Sequence, residues 1–413
     1  MSRKAITALS LALVCSLAGA LLAQAATPQR TAAHHAVDYI RTLQNADGGF
    51  PYFGSNSEAG GTIDAILAFV AQGTDPDDVE NDGNSPIDYL ETQAASYATT
   101  ADHAAKLVIG LVAAGEDPRD FAGDDWVAKM QSYYDSATHR YGVQIIDQAL
   151  YLLARESLGL SAQSGTVAVL ESTQLTDGCW EFADGFGCDT NSTAMAVQAL
   201  ITAGVDSDDA SIEAALDYFE SAQNSDGGFP YLIPSDSDAN STAWVLQALK
   251  AAGEDVDSGG PWDKPGGHTP MQALLSFQNP ANGAFTYAGD DNAYATYQAV
   301  PALLLQPLLL PPEEEEEEAT ETPAPTQTPV ATSTAMPEVS PTPSLVIAPP
   351  PTVESQALPA AVAPATMPRA LASAGEGSDS EGTRPAVLVA LLAAAGGFAT
   401  VGYLTRRRSM SKE

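Results

Sequence analysis

A phrase that recurs along the chain constrains its fold more than any other feature. Residues 44–50 read QNADGGF, and residues 223–229 read QNSDGGF. Weaker copies are QLTDGCW at 174–180 and QNPANGAF at 278–285. A phrase that returns at a long period indicates an internally repeated fold, in which each copy marks one supersecondary unit.

Each copy lies between two stretches with helical periodicity. The stretch before the glutamine has a charged face, as in ASIEAALDYFESAQ, whereas the stretch after the loop is apolar almost all round, as in NSTAWVLQALKAAG. Apolar residues at three- and four-residue spacing predict an outer helix in the first case and a buried helix in the second. The glutamine that ends the outer helix recurs at Gln44, Gln93, Gln131, Gln174, Gln223 and Gln278. The second unit lacks the glycine loop, and the third departs from the pattern after its inner helix.

Six helical hairpins over residues 27–310 predict an all-α fold that closes into a ring. An open solenoid needs terminal repeats with a polar outer face, but the first and last units here look like the middle ones. We therefore expect an α/α toroid, with six inner helices surrounded by six outer ones. In the repeated loop, glycines allow a tight turn, the aspartate can cap it, and the aromatic residue can wedge between units.

The two ends of the chain predict export and anchoring. Residues 1–26 combine Arg3 and Lys4, an apolar run and small residues, which is typical of a cleaved signal peptide. The uncharged run 385–404 is long enough for a transmembrane helix, and the basic tail 405–413 after it should be cytoplasmic. Between them, residues 311–384 are acidic and rich in Pro and Thr, which predicts a disordered stalk. The sequence thus predicts a single-pass cell-membrane protein with its toroid outside the cell.

The cysteine content and the net charge restrict the kinds of site and partner that the chain is expected to have. The mature chain would keep Cys179 and Cys188, a pair expected to form a disulfide outside the cell rather than a metal site. The formal net charge of −36 argues against nucleic acid as a partner. No metal or other cofactor is predicted.

The repeated phrase resembles the QW-type repeat of the terpenoid cyclase and protein prenyltransferase α/α-toroid superfamily, over about residues 31–305. Cyclases of the squalene–hopene type protonate an alkene with the middle Asp of D-x-D-D. Literal matches occur at 75–78 and 206–209, but both lead into outer helices, where Asp and Ser are expected to cap. The weak catalytic candidates are Asp238 and Asp236, at the start of an inner helix. A zinc site of the prenyltransferase type needs a cysteine that is absent here. A glycosidase or lyase would need carboxylates across the cavity.

A second local resemblance favours binding. The helix openings CDTNSTAMAVQAL and SDANSTAWVLQAL are similar to those of the extracellular cobalamin carriers, which are also α/α toroids. The inner-helix starts of a ring surround one mouth, so polar groups there could bind a small molecule or a glycan. The predicted ligand-binding residues are Asp64, His103, Asp189, Asn191, Thr193, Asp238, Asn240, Thr242, Asn292 and Tyr294.

Non-catalytic binding of an extracellular small molecule or glycan is the preferred function at this point, with a corrinoid or isoprenoid ligand left open. The alternative is a cyclase-like or prenyltransferase-like enzyme that uses an inner-helix aspartate as general acid. A deep, aromatic-lined cavity with one buried aspartate of raised pKa would favour the enzyme. A shallow polar bowl or a plugged centre would favour binding or scaffolding.

Overall fold

The computed structural model describes residues 27–307. The predicted signal peptide, the stalk, the membrane helix at 385–404 and the basic tail lie outside the described residues. None of the helices in the described range is long and apolar enough to cross a bilayer.

Twelve α-helices alternate between an outer and an inner ring within residues 27–307. The outer helices are α1 (Pro28–Thr42), α3 (Pro86–Tyr97), α5 (Trp126–Gln131), α7 (Ser164–Ser172), α9 (Ala210–Ala222) and α11 (Pro270–Ser276). The inner helices are α2 (Ala59–Ala71), α4 (Ala101–Ala114), α6 (Ile145–Ser157), α8 (Thr190–Thr202), α10 (Ala239–Ala251) and α12 (Ala293–Leu303).

A few short elements interrupt the helical pattern. A 3₁₀ turn covers Pro76–Asp78. Strand β1 (Tyr134–Asp135) pairs antiparallel with β2 (Arg140–Tyr141), and β3 (Thr286–Tyr287) pairs with β4 (Asp290–Asp291). The all-α prediction is therefore right for the architecture but misses two small hairpins, which lie in loops between an outer and an inner helix.

The inner helices form a closed ring. Each packs against the next along the chain, from α2 through α4, α6, α8 and α10 to α12, and α12 packs back against α2 and α1. Their apolar faces supply much of the core, which includes the fully buried side chains of Ile63, Ile66 and Phe69 on α2. The toroid of six hairpins predicted from the repeats is confirmed.

The two literal D-x-D-D matches cap helices, as expected. Asp75 precedes the 3₁₀ turn and accepts a hydrogen bond from the Asp77 N–H at 3.1 Å. Asp209 precedes α9 and accepts one from the Ser211 N–H at 2.8 Å. The middle aspartates of the two matches, Asp77 and Asp208, are exposed, so neither is suited to protonate an alkene in a dry cavity.

At four of its six positions the recurring glutamine joins its repeat to the next. The side-chain amide of Gln223 donates to the Gly227 carbonyl in its own loop and to the Trp262 carbonyl in the next hairpin, both at 2.9 Å. Gln44 and Gln174 make the same pair of bonds at their own repeats. Gln278 bonds Gly283 at 3.0 Å and, 246 residues back along the chain, Ala32 at 2.8 Å. This last bridge closes the ring.

The first glycine of the repeated loop lies directly against the backbone of the next hairpin. A Cβ on Gly283, whose φ is +85°, would come within 2.2 Å of the His35 carbonyl oxygen. The equivalent atoms at Gly48, Gly178 and Gly227 would meet backbone carbonyls at 2.1–2.3 Å. Glycine is needed there both for its left-handed backbone and for close approach.

The aromatic residue of the loop is held by a threonine of the inner helix that follows. The Phe229 N–H donates to the Thr242 hydroxyl at 3.0 Å, and the Trp180 N–H donates to that of Thr193 at 3.0 Å. Phe50 and Phe285 repeat the arrangement. All four aromatic side chains are fully buried, which accords with the wedging role that the repeat predicts.

We expect Gln278→Ala to destabilise the ring because two backbone carbonyls lose their donor. The free energy of unfolding, measured by urea titration of the full chain, should fall by about 2 kcal/mol. Gln93 bonds only its neighbours Thr92 and Ser96, so Gln93→Ala should change it by less than about 0.5 kcal/mol. Equal losses in the two variants would contradict the bridging role.

Two glycines in the sixth hairpin allow the cost of backbone strain to be measured apart from the cost of close packing. Gly289 has a φ of +89° and open space around its Cβ position, so Gly289→Ala should cost about 1 kcal/mol for its left-handed backbone. Gly283→Ala should cost about 1–3 kcal/mol more, because its methyl group would overlap the His35 carbonyl. The same urea titrations measure both values, and equal costs would remove the packing argument.

Candidate functional site: the central cavity

A cavity of about 90 Å³ lies at the centre of the ring. All six inner helices contribute to its wall, together with the loops that precede α2, α8 and α10. The lining residues are Tyr52, Asp64, Leu67, Asp102, Lys106, Ile109, Ile146, Leu150, Phe182, Asp189, Asn191, Ser192, Met195, Tyr231, Trp244, Gln247, Tyr294, Tyr297, Gln298 and Pro301. The wall thus combines aromatic and aliphatic surface with a few polar groups, as small-molecule sites do.

An ion pair between two inner helices forms one side of the cavity. Lys106 on α4 donates to Asp64 Oδ1 on α2 at 2.8 Å, and both side chains are nearly buried. The Lys106 ammonium also lies 5.4 Å from the centre of the Tyr52 ring, a cation–π contact. Burial raises the pKa of the Asp64 carboxyl, and the charge of Lys106 opposes that rise. A hydrogen bond from the Tyr52 hydroxyl to this carboxyl opposes the rise as well.

Asp189 supplies a second buried carboxylate. It caps α8, where its Oδ1 accepts a hydrogen bond from the Ser192 N–H at 2.7 Å. The residue is 1% exposed. Burial raises the pKa of this carboxyl to about 6, although hydrogen bonds from the Ser192 N–H and hydroxyl and from the N–H groups of Asn191 and Phe182 work in the opposite direction.

Asp238 occupies the same position in the next hairpin, but its surroundings differ. It caps α10 and accepts hydrogen bonds on both oxygens, from the Ser241 N–H at 2.8 Å and from the Ser241 hydroxyl at 2.9 Å. Asp238 does not line the cavity. Burial raises the pKa of the Asp238 carboxyl as well, and hydrogen bonds of the same kinds oppose that rise. Two residues with nearly the same sequence context therefore differ in one respect: only Asp189 belongs to the cavity wall.

Aromatic rings and amides complete the wall. The rings of Tyr52 and Tyr294 lie 4.7 Å apart, and the Tyr297 hydroxyl donates to the Pro51 carbonyl at 2.9 Å. Gln247 on α10 donates to the Ala243 carbonyl at 3.3 Å, whereas its amide oxygen is buried without a partner among the described residues.

Of the ten ligand-binding residues expected from the sequence, the structure brings four together in the cavity wall: Asp64, Asp189, Asn191 and Tyr294. The threonines Thr193 and Thr242 instead hold the loop aromatics. Asn240 donates to Gln298 Oε1 at 3.0 Å, and Asn292 caps α12.

His103 also lies outside the cavity wall. Its ring stacks on Tyr97 at 4.2 Å between ring centres, and its Nδ1 lies 3.1 Å from the Tyr97 carbonyl oxygen. Burial lowers the pKa of the imidazole. His103 Nε2 is 3.8 Å from a carboxylate oxygen of the cavity-lining Asp102, so the histidine contacts the site through its neighbour.

The catalytic candidates are poorly placed for cavity chemistry. Asp236 is exposed in the loop before α10, and Asp238 caps that helix. Cys179 and Cys188 are joined by a disulfide that ties together the loop before α8. Among the described residues, no group of histidine, cysteine and carboxylate side chains is arranged to hold a metal ion.

Sequence reasoning missed several residues of the wall, although a signal for them existed. Lys106 lies on an inner helix that is entirely small and apolar after it, and Gln247 and Gln298 occur in the similar phrases VLQAL and TYQAV. A charge or an amide on a helix that packs on all sides must find a partner or a cavity. Trp244 carried no such signal, because an aromatic on a buried helix is normally core.

The comparison with family sequence models identifies the repeat unit. The prenyltransferase alpha-alpha toroid domain matches residues 3–102 and 144–264, which is more than half of the chain. The chain belongs to the prenyltransferase alpha-alpha toroid family. A comparison with curated proteins finds no match, so the assignment to this toroid family fixes architecture rather than activity.

Comparison with solved structures finds several that are similar to this chain. The type II terpene cyclase MstE from Scytonema is 15% identical, with a TM-score of 0.51, and the match covers 68% of this chain and 99% of that one. A glycosidase bearing E335A, in complex with glucose, is 16% identical with a TM-score of 0.40, covering 68% and 98% of the two chains. The ent-copalyl diphosphate synthase from Streptomyces platensis is 18% identical with a TM-score of 0.39, covering 60% and 50%. At 15% identity, the likeness to MstE shows the fold alone.

We expect Asp189→Asn to stabilise this toroid at neutral pH. The native pKa of about 6 lies above the ordinary 3.8, so the stability that protonation gives is full below pH 3.8 and lost as the pH rises through 6. The amide has no charge to bury and can still cap α8. Urea titration at pH 7.5 should show a gain of up to about 3 kcal/mol, which shrinks towards pH 4.

Asp238→Asn is the matched control for that measurement. Asp238 is less buried than Asp189, so its removal should give a smaller gain at pH 7.5. A gain at Asp238 equal to that at Asp189, or a loss of stability in Asp189→Asn, would contradict the cost assigned to burying the Asp189 charge.

Proposed function

We propose that the protein binds a small molecule in the cavity at the centre of its toroid and does not chemically transform it. The observation that carries this proposal is the central cavity itself, whose wall sets a few polar side chains among aromatic and aliphatic ones.

Small-molecule sites place a small number of polar groups in a mostly apolar wall, where they fix the orientation of the ligand. The ion pair of Lys106 with Asp64 at 2.8 Å and the side chain of Asn191 are such groups here. The aromatic rings of Tyr231, Trp244 and Tyr294 supply apolar surface for the rest of such a ligand.

The size of the cavity limits the class of ligand. At about 90 Å³ it is well below the roughly 300–1,000 Å³ of sites for drug-sized ligands. A polyprene chain or a corrinoid would need a much larger space, so the volume favours a small polar molecule or one sugar unit of a glycan.

A second candidate function is general-acid catalysis of the kind that the terpene cyclase resemblance implies. The observation that favours it is Asp189, a buried cavity-wall aspartate whose pKa is raised to about 6. An acid with that pKa is only about one-tenth protonated at pH 7, which is better suited to holding a positive charge than to protonating an alkene. If catalysis occurs, Asp189 replaces Asp238 as the residue to test.

Presentation at the cell surface remains part of the proposal. It rests on the signal peptide, stalk and membrane segment expected from the sequence. The disulfide between Cys179 and Cys188 supports it, since structural disulfides are typical of oxidising compartments. In this arrangement the stalk holds the binding toroid away from the bilayer.

Native mass spectrometry tests the proposed binding. The full chain, in a mild non-ionic detergent, is incubated separately with monosaccharides, small amines, isoprenoids and corrinoids. We expect a small polar compound to be retained at one molecule per chain and recovered unchanged. Retention of none of these classes would overturn the proposal, and conversion of an isoprenoid that Asp189→Asn abolishes would support catalysis instead.

Met195→Trp ties any binding to the cavity. Met195 lies in the cavity wall on α8, so a larger side chain should fill the space and abolish retention. Lys250→Trp introduces the same side chain at an exposed position of α10 and should leave retention unchanged. Loss in both variants, or in neither, would place the bound molecule elsewhere.

A further inference from the structure

We infer that the ligand is a glycoside with an apolar aglycone, whose sugar ring lies in the cavity and whose aglycone rests on Phe53, Phe186 and Ile233 at the mouth. The inference rests on the proposed function. It names the class of ligand and adds three contact residues outside the cavity wall.

The exposed apolar side chains stand at one end of the toroid. Across residues 27–307, four large apolar side chains are exposed: Phe53, Val143, Phe186 and Ile233. Each lies in a loop that leads from an outer helix into an inner one, so all four stand at the end where the inner helices begin. Exposed apolar residues scattered singly need no explanation, but a set confined to one end of a molecule indicates a contact surface.

Two of these side chains are continuous with the aromatic wall of the cavity. The Phe53 ring centre lies 4.7 Å from that of the wall residue Tyr52. The Phe186 ring centre lies 5.9 Å from that of the wall residue Phe182. Ring contacts therefore lead from the enclosed space to the exposed surface on two sides of the mouth.

Ile233 belongs with these two rings, whereas Val143 does not. Ile233 follows the wall residue Tyr231 by two positions in the same loop. Val143 is 86% exposed, and no residue of its loop, 132–144, lines the cavity. We call Phe53, Phe186 and Ile233 the apolar rim, and Val143 provides a control on the same end of the molecule.

The loop around Phe186 holds this ring in its exposed position. Gly185 and Gly187 both have a left-handed backbone, with φ of +86° and +85°. Their N–H groups donate to one carboxylate oxygen of the buried Glu181, at 3.0 and 2.7 Å. The disulfide described above closes the same loop. A side chain that is ordered before binding loses little conformational entropy when a ligand packs on it.

The cavity itself favours an uncharged head that bears hydroxyl groups. Lys106 is the one basic side chain of the described wall, and it is already paired with Asp64 at 2.8 Å. An anionic head would therefore find no free cation there. A hydroxyl both donates and accepts hydrogen bonds, which suits a wall that offers an ammonium, carboxylates and the amide of Asn191. Sugar rings combine such hydroxyls with C–H faces that can pack on the aromatic rings of the wall.

The rim favours a second part of different chemistry. The side chains of Phe53, Phe186 and Ile233 have no polar atom, so they gain most by contact with hydrocarbon. A second sugar would place hydroxyls against them, whereas an alkyl or aryl aglycone would not. One enclosed ring and one apolar group outside it describe a glycoside with an apolar aglycone.

Matched glycosides test the two-part ligand. Binding to the full chain in phosphatidylcholine nanodiscs at pH 7.5 is measured by calorimetry for methyl and hexyl β-glucoside and for methyl and hexyl β-galactoside, with empty nanodiscs as the blank. In at least one pair the hexyl compound should bind tenfold or more tightly than the methyl compound. Equal affinities within both pairs, or binding of none of the four compounds, would overturn the inference.

Two serine variants assign the gain to the rim. Phe186→Ser should weaken binding of the hexyl glycoside at least fivefold and change that of the methyl glycoside less than twofold. Val143→Ser, also at an exposed position, should change neither by more than twofold. Because both side chains are exposed, neither change removes core packing. Equal effects of Phe186→Ser on the two glycosides, or the same loss in Val143→Ser, would contradict a rim contact.

A second copy of the chain is the competing occupant of the rim. Sedimentation equilibrium of the full chain in a polyoxyethylene detergent, which contains no sugar, tests for it. A monomer in both the native chain and Phe186→Ser leaves the rim free and supports the inference. A dimer that Phe186→Ser dissociates would assign the rim to self-association and overturn it.

The outcomes distinguish this inference from the proposed function. If a small polar molecule is retained and Met195→Trp abolishes its binding, while hexyl glycosides show no gain over methyl ones, small-molecule binding stands and the two-part ligand falls. If no class of compound is retained at all, small-molecule binding itself falls.

Discussion

One side-chain amide holds neighbouring hairpins of this toroid in register. The glutamine at the end of an outer helix donates both to its own glycine loop and to a backbone carbonyl of the next hairpin, as at Gln223. The loop glycine then lies so close to that hairpin that no side chain fits. Inner helices can therefore converge on a common centre, and the cavity between them exists because the outer contacts fix their spacing. The residues that make the phrase recognisable in sequence are the ones that build the ring, not those that line its centre.

The fold followed from the sequence because its determinants are local and repeated. A glutamine, a glycine turn and two helical periodicities return often enough to count hairpins and to predict closure. The cavity wall was harder to predict, because it is assembled from single residues on six different helices. Lys106 and Asp64 are 42 residues apart in the chain, and nothing in either segment shows that they face each other at 2.8 Å.

Equivalent positions also diverge in ways that sequence similarity conceals. Asp189 and Asp238 each precede a helix that begins with a small or β-branched residue, Asn, Ser and Thr, so the sequence assigned both to ligand binding. The structure gives both the same capping role, but only Asp189 belongs to the cavity wall. Which of two capping aspartates lines the cavity is decided by tertiary packing, and no helix-start rule can reveal it.

The bridge from Gln278 to Ala32 has a consequence for how the chain reaches its native state. It joins backbone separated by 246 residues, so the first hairpin cannot complete its contacts until the sixth has been made. When the chain is synthesised from its amino end, the apolar faces of α1 and α2 have no partner until the remaining hairpins have been made. Contacts of such long sequence separation form late and slow folding. The closed ring needs no terminal caps once it is folded. For the same reason its first hairpin is unprotected while the chain folds.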